Sequence, residues 1–523
     1  MKFRITLLFV VMPAFFLAQN LPSLEIPAPS DQMPSWAHLM YTEEINMAEL
    51  EEAYRMYYRE NAFEKNNYTR YFKRLVMMNR GNILPDGTLR KHTGEEPSSA
   101  EIPSDPQPSM MPPGSVWTPF EMHTYWAHND NASQAMCPWQ SNIYSFDIAP
   151  TNTNTLYCGT ETGGYFKTTD AGLLWTQIAI NNAMGSSGGL AVSPANANTV
   201  INVAGFSIYR SLDGGSTWTT EHTATDLYGN AVAFKPTDAN IVLASTEQGI
   251  FRSTNGGDTW TNVLGNTCSD VVFNPVVPTE AYALRKNTVT NFFEFYKSTN
   301  SGATWSISST GWPAGLTEGI GRIGVTAASG TTVYCVLLTN AGPYIVKSTN
   351  SGATWTTTAI GGTAALEMDN WQGYYDLDIV VSSANANHLM VGTASAYKST
   401  DGGINFSIVG GYGGSFPVHP DIQEMRSFNG HTWIASDGGL YYSSDFFTST
   451  ANAAARIRGI NSADFWGFDI GWQEDVMVGG RYHNGNTAWT SDYTDGKFLR
   501  MGGAEAPTGY LNPADAHRAY FSD

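Results

Sequence analysis

The sequence predicts an all-β fold, a multi-bladed propeller of repeated four-stranded units behind a small helical segment. Three observations predict it. A ten-residue pattern, clearest at 296–305 (Tyr-Lys-Ser-Thr-Asn-Ser-Gly-Ala-Thr-Trp), recurs at 166–175, 209–218, 251–260, 346–355 and 397–406, with weaker copies near 443–445 and 490–492. Its acid or amide falls at Asp170, Asp213, Asn255, Asn300, Asn350, Asp401, Asp445 and Asp492, in steps of 42 to 51 residues. That period suits one blade per copy. The 51 glycines and 13% aromatic content of the 523 residues suit a turn-rich β protein.

Each copy has a mechanical reason. The short acid or amide can accept from backbone N–H groups two residues on, and glycine supplies positive φ for a tight hairpin. The flanking runs are aromatic and β-branched, as strands prefer, and the closing Trp or Phe brings a large apolar area to bury.

On these residues the chain resembles the Asp-box repeat of sialidases, sortilin-like receptors and xyloglucan-cleaving glucanases. The resemblance implies an Asp-box β-propeller, with each box at the rim of a blade and away from the ligand face. It covers 117–523, specifically at the boxes and loosely elsewhere.

In chain order, 1–18 reads as a secretory signal: Lys2 and Arg4, an apolar run to Leu17, and a cut after Ala18. The run is too short to span a membrane, and the expected location is secreted or at the bacterial cell surface. Residues 19–92 hold a helical hairpin. Asn46 and Glu49 have capping-box spacing, Met47, Leu50, Ala53, Tyr54 and Tyr57 recur at helical intervals, and a second helix is expected from Tyr68 to Asn79. Its aromatic stripe needs cover, by packing on the propeller or by a partner. Residues 93–116, rich in Pro, Ser and Glu, read as an extended linker, and the propeller follows from 117 to 523.

Blade openings such as Ile148-Ala149-Pro150 and Val192-Ser193-Pro194 number nine, and the ninth stops before its box. An unfinished blade leaves strand edges bare, so the chain is expected to be the N-terminal part of a longer protein. Nine exceeds the usual count for one ring. A ten-bladed ring, as in sortilin, and tandem seven-bladed rings, as in the glucanases, both remain open.

The formal charge of -19 opposes nucleic acid and anionic membrane as partners. Cys137, Cys158, Cys268 and Cys335 include two at equivalent strand positions of different blades, which favours buried thiols over disulfides.

Function is sought at the innermost strands. Counting back from the turns puts Asp270, Asp378, Asp421 and Asp469 in register, with Asp376 and His419 two residues ahead on the same strand faces as Asp378 and Asp421. One reading is a ligand or cation site, with Asp378 and Asp421 as oxygen ligands for calcium. The other is that these carboxylates accept backbone amides between blades. The stretches 371–376, Val418-His419-Pro420-Asp421-Ile422-Gln423 and Ala435-Ser436-Asp437-Gly438-Gly439 resemble a linked signature of sortilin-like and glucanase-like propellers. Where those families often carry Gln-Asp-Asn-Gly in the next blade, 479–485, with Arg481 and His483, keeps the polar character with different residues.

Glycoside hydrolysis needs two flanking carboxyl groups. The glucanases carry one acid ahead of the first blade, where 141–146 has none; Glu505 is the remaining candidate for an inverting reaction. Few arginines argue against a sialidase. The resulting expectation is a non-catalytic module that binds protein or polysaccharide, with Trp371, Tyr374, Tyr375, Phe465, Trp466 and Tyr482 as stacking faces. A xyloglucanase-type hydrolase is the alternative. Relatives with this leader and these repeats often use the type 9 secretion route.

Overall fold

The computed structural model describes two compact units, Met1–Val116 and Trp117–Asp523. Described residues in the first are 29–30, 33–42, 45–62, 68–69, 71–72, 75–76, 83–84 and 86–89; in the second, 124–126, 134–136 and 141–522 except 180–183, 317–318, 340–341, 362–374, 464, 472–474, 491–496, 502–507 and 513–514.

The first unit has a 3-10 turn, Ser35–Tyr41, and an α-helix, Met47–Glu60. Asn46 starts the helix, its Oδ1 accepting from the Ala48 and Glu49 amides at 3.0 and 3.2 Å. Gly87 closes over this cap at φ +83°, where an added Cβ would come 2.2 Å from Asn46 Oδ1. Residues 68–69, 71–72 and 75–76 are helical. The aromatic stripe finds cover within its own unit. Tyr54 stacks on Phe72 at 4.1 Å, and Trp36 meets both rings edge-on. Residues 1–28 and 90–123, the signal and linker among them, lie outside the described residues.

The second unit is built of antiparallel four-stranded sheets, each a chain-ordered meander. Seven such sheets span 143–178, 187–223, 229–265, 268–307, 320–360, 378–410 and 422–455, here blades 1 to 7. Their first strands, Ile143–Ile148, Ser187–Val192, Gly229–Lys235, Cys268–Phe273, Ile320–Thr326, Asp378–Val381 and Ile422–Phe428, line the axis, each packed on the next. The last packs on the first. Phe146, Cys158 and Trp175 of blade 1 share a core with Trp433 and Leu440 of blade 7, and the Trp175 amide donates to Arg458 O at 2.8 Å. The ring therefore closes after seven blades, which excludes the ten-bladed ring.

Beyond the ring, Phe465–Ile470, Val476–Arg481, Gly485–Thr490 and Lys497–Arg500 form an eighth sheet, and Thr508–Asn512 with Asp515–Ser522 starts a ninth. Thr124–Trp126 runs parallel to Lys497–Arg500 and carries Gln134–Met136 on its outer side. Strands that precede blade 1 in sequence thus complete the eighth sheet, a pairing that no local pattern announces.

The repeated hairpins differ from expectation in one respect. Asn300 Oδ1 accepts from the Thr304 amide four residues on, at 2.9 Å, because two consecutive residues, Ser301 and Gly302, are left-handed at φ 57° and 80°. Ser298 holds the loop from inside, donating to Asn300 Oδ1 and accepting the Gly302 amide, both at 2.9 Å. The same bonds recur at Asp170, Asp213, Asn255, Asn350, Asp401 and Asp445. A Cβ on Gly302 would meet Leu243 of the preceding blade at 2.5 Å, so the hairpins also seat neighbouring blades. Asp492 lies outside the described residues. Cys158, Cys268 and Cys335 are buried free thiols. Among the described residues no helix is long and apolar enough to cross a membrane.

Candidate functional site

Two polar layers lie along the ring axis, and they divide the sequence candidates between them. The inner layer is a ladder between blades. Asp270 Oδ2 accepts the Ile323 amide at 2.7 Å, Asp378 Oδ2 the Met425 amide at 2.5 Å, and Glu424 Oε2 the Phe146 amide at 2.7 Å. Asp147 serves Val192 at 2.7 Å, and Asp469 serves Leu511 at 3.0 Å between the eighth and ninth sheets. For Asp270, Asp378 and Asp469 the structure therefore supports the amide-accepting reading. Arg322 and Arg426 stand among these acids around a channel of about 100 Å³. Arg426 forms an ion pair with Glu424, and Arg322 donates to the carbonyls of Ser269 and Leu377.

Burial raises Asp147, Asp270, Asp378 and Glu424 against the pull of the neighbouring arginines, Asp378 to about 6 and Glu424 to about 7. A carboxyl with a raised folded pKa holds a proton that the unfolded chain has released, so stability is present at low pH and lost as pH rises through that interval. The hairpin acids act oppositely. Their hydrogen bonds hold Asp213 and Asp401 low, Asp401 to about 2, and this contribution is lost as pH falls. The melting temperature should then peak near about pH 4–5 and decline toward about pH 7. Glu424→Gln, which keeps an acceptor for Phe146, should flatten the decline in melts recorded across pH. A wild-type melting temperature rising from about pH 5 to 7 would contradict this.

The outer layer sits at one mouth of the ring. There the approaches to blades 6 and 7 meet the turns between second and third strands of blades 1 and 7 and of the eighth sheet. Asp421 is not in register with Asp270 and Asp378; Glu424 takes that place. The first strand of blade 7 runs on to Phe428 and turns on Asn429 and Gly430, both at positive φ, so its turn comes later than the sequence count places it, and counting back from the true turn reaches Glu424. Asp421 instead precedes the strand at φ 64°, with 1% of its surface exposed.

Around it gather Asp376, Asp437 and His483, all buried. Asp437 Oδ1 accepts from Gln423 Nε2 at 2.9 Å and Oδ2 from the Tyr375 hydroxyl at 2.8 Å, with His483 Nδ1 3.3 Å away. The Asp437 amide donates to Asp421 O, and Asn484 Nδ2 to Asp437 O. His419 reaches two carbonyls, Pro420 O from Nδ1 at 2.9 Å and His483 O from Nε2 at 3.0 Å. Carbonyls only accept, so both contacts are hydrogen bonds together only when the ring is protonated. Arg481 donates to Asn484 O at 3.2 Å within the same turn. Burial first, then repulsion from Asp421 and Asp437, pushes Asp376 up to about 9. Burial also lifts Asp437 to about 7, against the pull of His483.

Of the sequence candidates, the structure thus brings Asp376, His419, Asp421, Arg481 and His483 to one mouth and leaves Asp378 in the ladder. Glu505, Trp371 and Tyr374 lie outside the described residues. Asp437 and the phenol of Tyr375 were missed as partners of the acids. Asp437 stood in the quoted Ser-Asp-Gly-Gly stretch, but nothing local says that its turn faces Asp421.

Beside the mouth a cavity of about 330 Å³ opens between the ring and the eighth sheet, lined by Ile460, Phe465, Phe468, Met477, Arg481 and Phe498 among others. Next to Phe465, Trp466 stacks on Tyr482 with centroids 4.7 Å apart and planes at 10°, while about half of Trp466 stays exposed, 54%.

The sequence matches no protein-family model and no curated protein. Solved structures do match in fold. The GH74 xyloglucanase from Xanthomonas campestris superposes with a TM-score of 0.52 at 16% identity, over 66% of this chain and 58% of that one. An ancestral GH74 enzyme gives 0.53 at 17% identity, over 67% and 53%. The chain spans little more than half the length of these enzymes, and at this identity the likeness is one of fold: this chain is a β-propeller similar to theirs in architecture.

Proposed function

We propose that this protein is an exported Asp-box propeller that acts as a non-catalytic binding module for polysaccharide or protein at the cell surface. One observation carries the reading. The acids at the ring mouth are sealed from solvent, Asp376 at 0% and Asp421 at 1% exposure, whereas the open surface beside them is aromatic. Glycosidic cleavage needs two carboxyl groups that flank the substrate bond with room for it between them, and enclosed acids turned toward one another do not offer that. Trp466 over Tyr482, with the cavity beside Phe465, offers a flat face and a recess suited to a sugar ring or an apolar side chain. Export by the type 9 route fits the leader and the repeats.

The test incubates the protein with a panel of plant and microbial polysaccharides and with cell-envelope protein fractions, following both depletion of the protein and new reducing ends. Saturable depletion without new ends is expected, weakened by roughly tenfold in Trp466→Ala with its melting temperature unchanged. Release of new chain ends from any polysaccharide would favour the hydrolase of xyloglucanase type instead. Retention equal in wild type and Trp466→Ala would move the binding face elsewhere.

A further inference from the structure

The ring mouth gathers three buried carboxyl groups and an imidazole in one place. Asp421, Asp437 and His483 each bring a donor atom within 4.8 Å of the others. Asp376 adds a third carboxyl against that of Asp421. It is wholly enclosed, and among the described residues neither of its oxygens receives a hydrogen bond. A carboxylate taken out of water without a donor is among the costliest groups to bury, and a cation is a usual remedy.

We propose that Asp376, Asp421, Asp437 and His483 form a binding site for one divalent cation of the first transition row, manganese or zinc. The donor set selects this class: carboxylate oxygens with an imidazole nitrogen suit manganese and zinc, whereas calcium takes oxygen ligands only. The surrounding bonds are those of a positioned ligand shell. Gln423 and Tyr375 fix the Asp437 carboxylate, and the Asn484 amide ties the His483 turn to Asp437 O. The ion joins blade 7 to the strand turn of the eighth sheet, so its effect is to pin that sheet over the ring mouth. The inference does not depend on what the aromatic face binds.

The experiment uses the full chain, stripped with chelator and dialysed, then titrated with manganese, zinc and calcium chlorides by calorimetry and thermal melts. A single manganese or zinc ion per chain with a raised melting temperature is expected, and Asp437→Asn and His483→Gln should each weaken binding by at least about tenfold. Should the variants fail to fold, X-ray absorption of the zinc-loaded wild type decides: nitrogen and oxygen neighbours are expected, and an all-oxygen or sulfur shell overturns the site. No saturable binding of either metal, or a preference for calcium, overturns it as well. The mouth would then hold a proton-sharing carboxyl group in place of an ion.

Discussion

Arg426→Leu is expected to destabilise the ring by about 2–4 kcal/mol, read as a fall in the denaturant midpoint at unchanged slope. Arg426 pairs with Glu424, and its charge also offsets Asp147, Asp270 and Asp378. Removing it leaves those acids facing one another with Arg322 as the cation remaining among them. Breaking a fully buried pair from one side costs about 3–5 kcal/mol, and channel water screens part of that because the Arg426 side chain is 37% accessible. Loss should be smaller in acid, where Glu424 and Asp378 are protonated. An effect under about 0.5 kcal/mol at neutral pH would mean that the channel is wet enough to behave as surface.

Phe146→Ala should cost about 3–5 kcal/mol, the range for truncating a buried ring without relaxation. Phe146 is fully buried where blade 1 meets blade 7, and its amide is the one that Glu424 holds. In an open array this position would be a terminal edge, and its truncation would cost little. In a closed ring it lies in a core between two blades that are almost three hundred residues apart in sequence. A loss below about 1 kcal/mol would argue that blades 1 and 7 do not close on each other in solution.

Local chemistry made the blades legible. Each hairpin is a Ser or Thr, an acid or amide and left-handed residues within five positions, and the strands alternate in a way set by side-chain direction. Even the copy around Asp445, weak by sequence because Phe446 and Phe447 replace the usual small residues, forms the same bonds with both rings at positive φ. The ladder was half legible: Asp270 and Asp378 were found as a pair in register, while Glu424 was hidden by the longer strand of blade 7.

Ring size and the mouth were matters of tertiary structure. Seven blades close because each blade adds a fixed rotation between neighbours, a sum over packing that the repeat period does not contain. The eighth sheet borrows Thr124–Trp126 from ahead of blade 1. The mouth is assembled from 375–376, 419–423, 437 and 481–484, segments that meet only once the ring has closed and the next sheet has folded against it. By itself the sequence determined the repeated hairpin, the four-stranded blade and the acids available to the axis. Which acids became amide acceptors and which were left to face one another was decided by the closure of the ring, because burial and neighbours, not residue type, set what a carboxyl group can do.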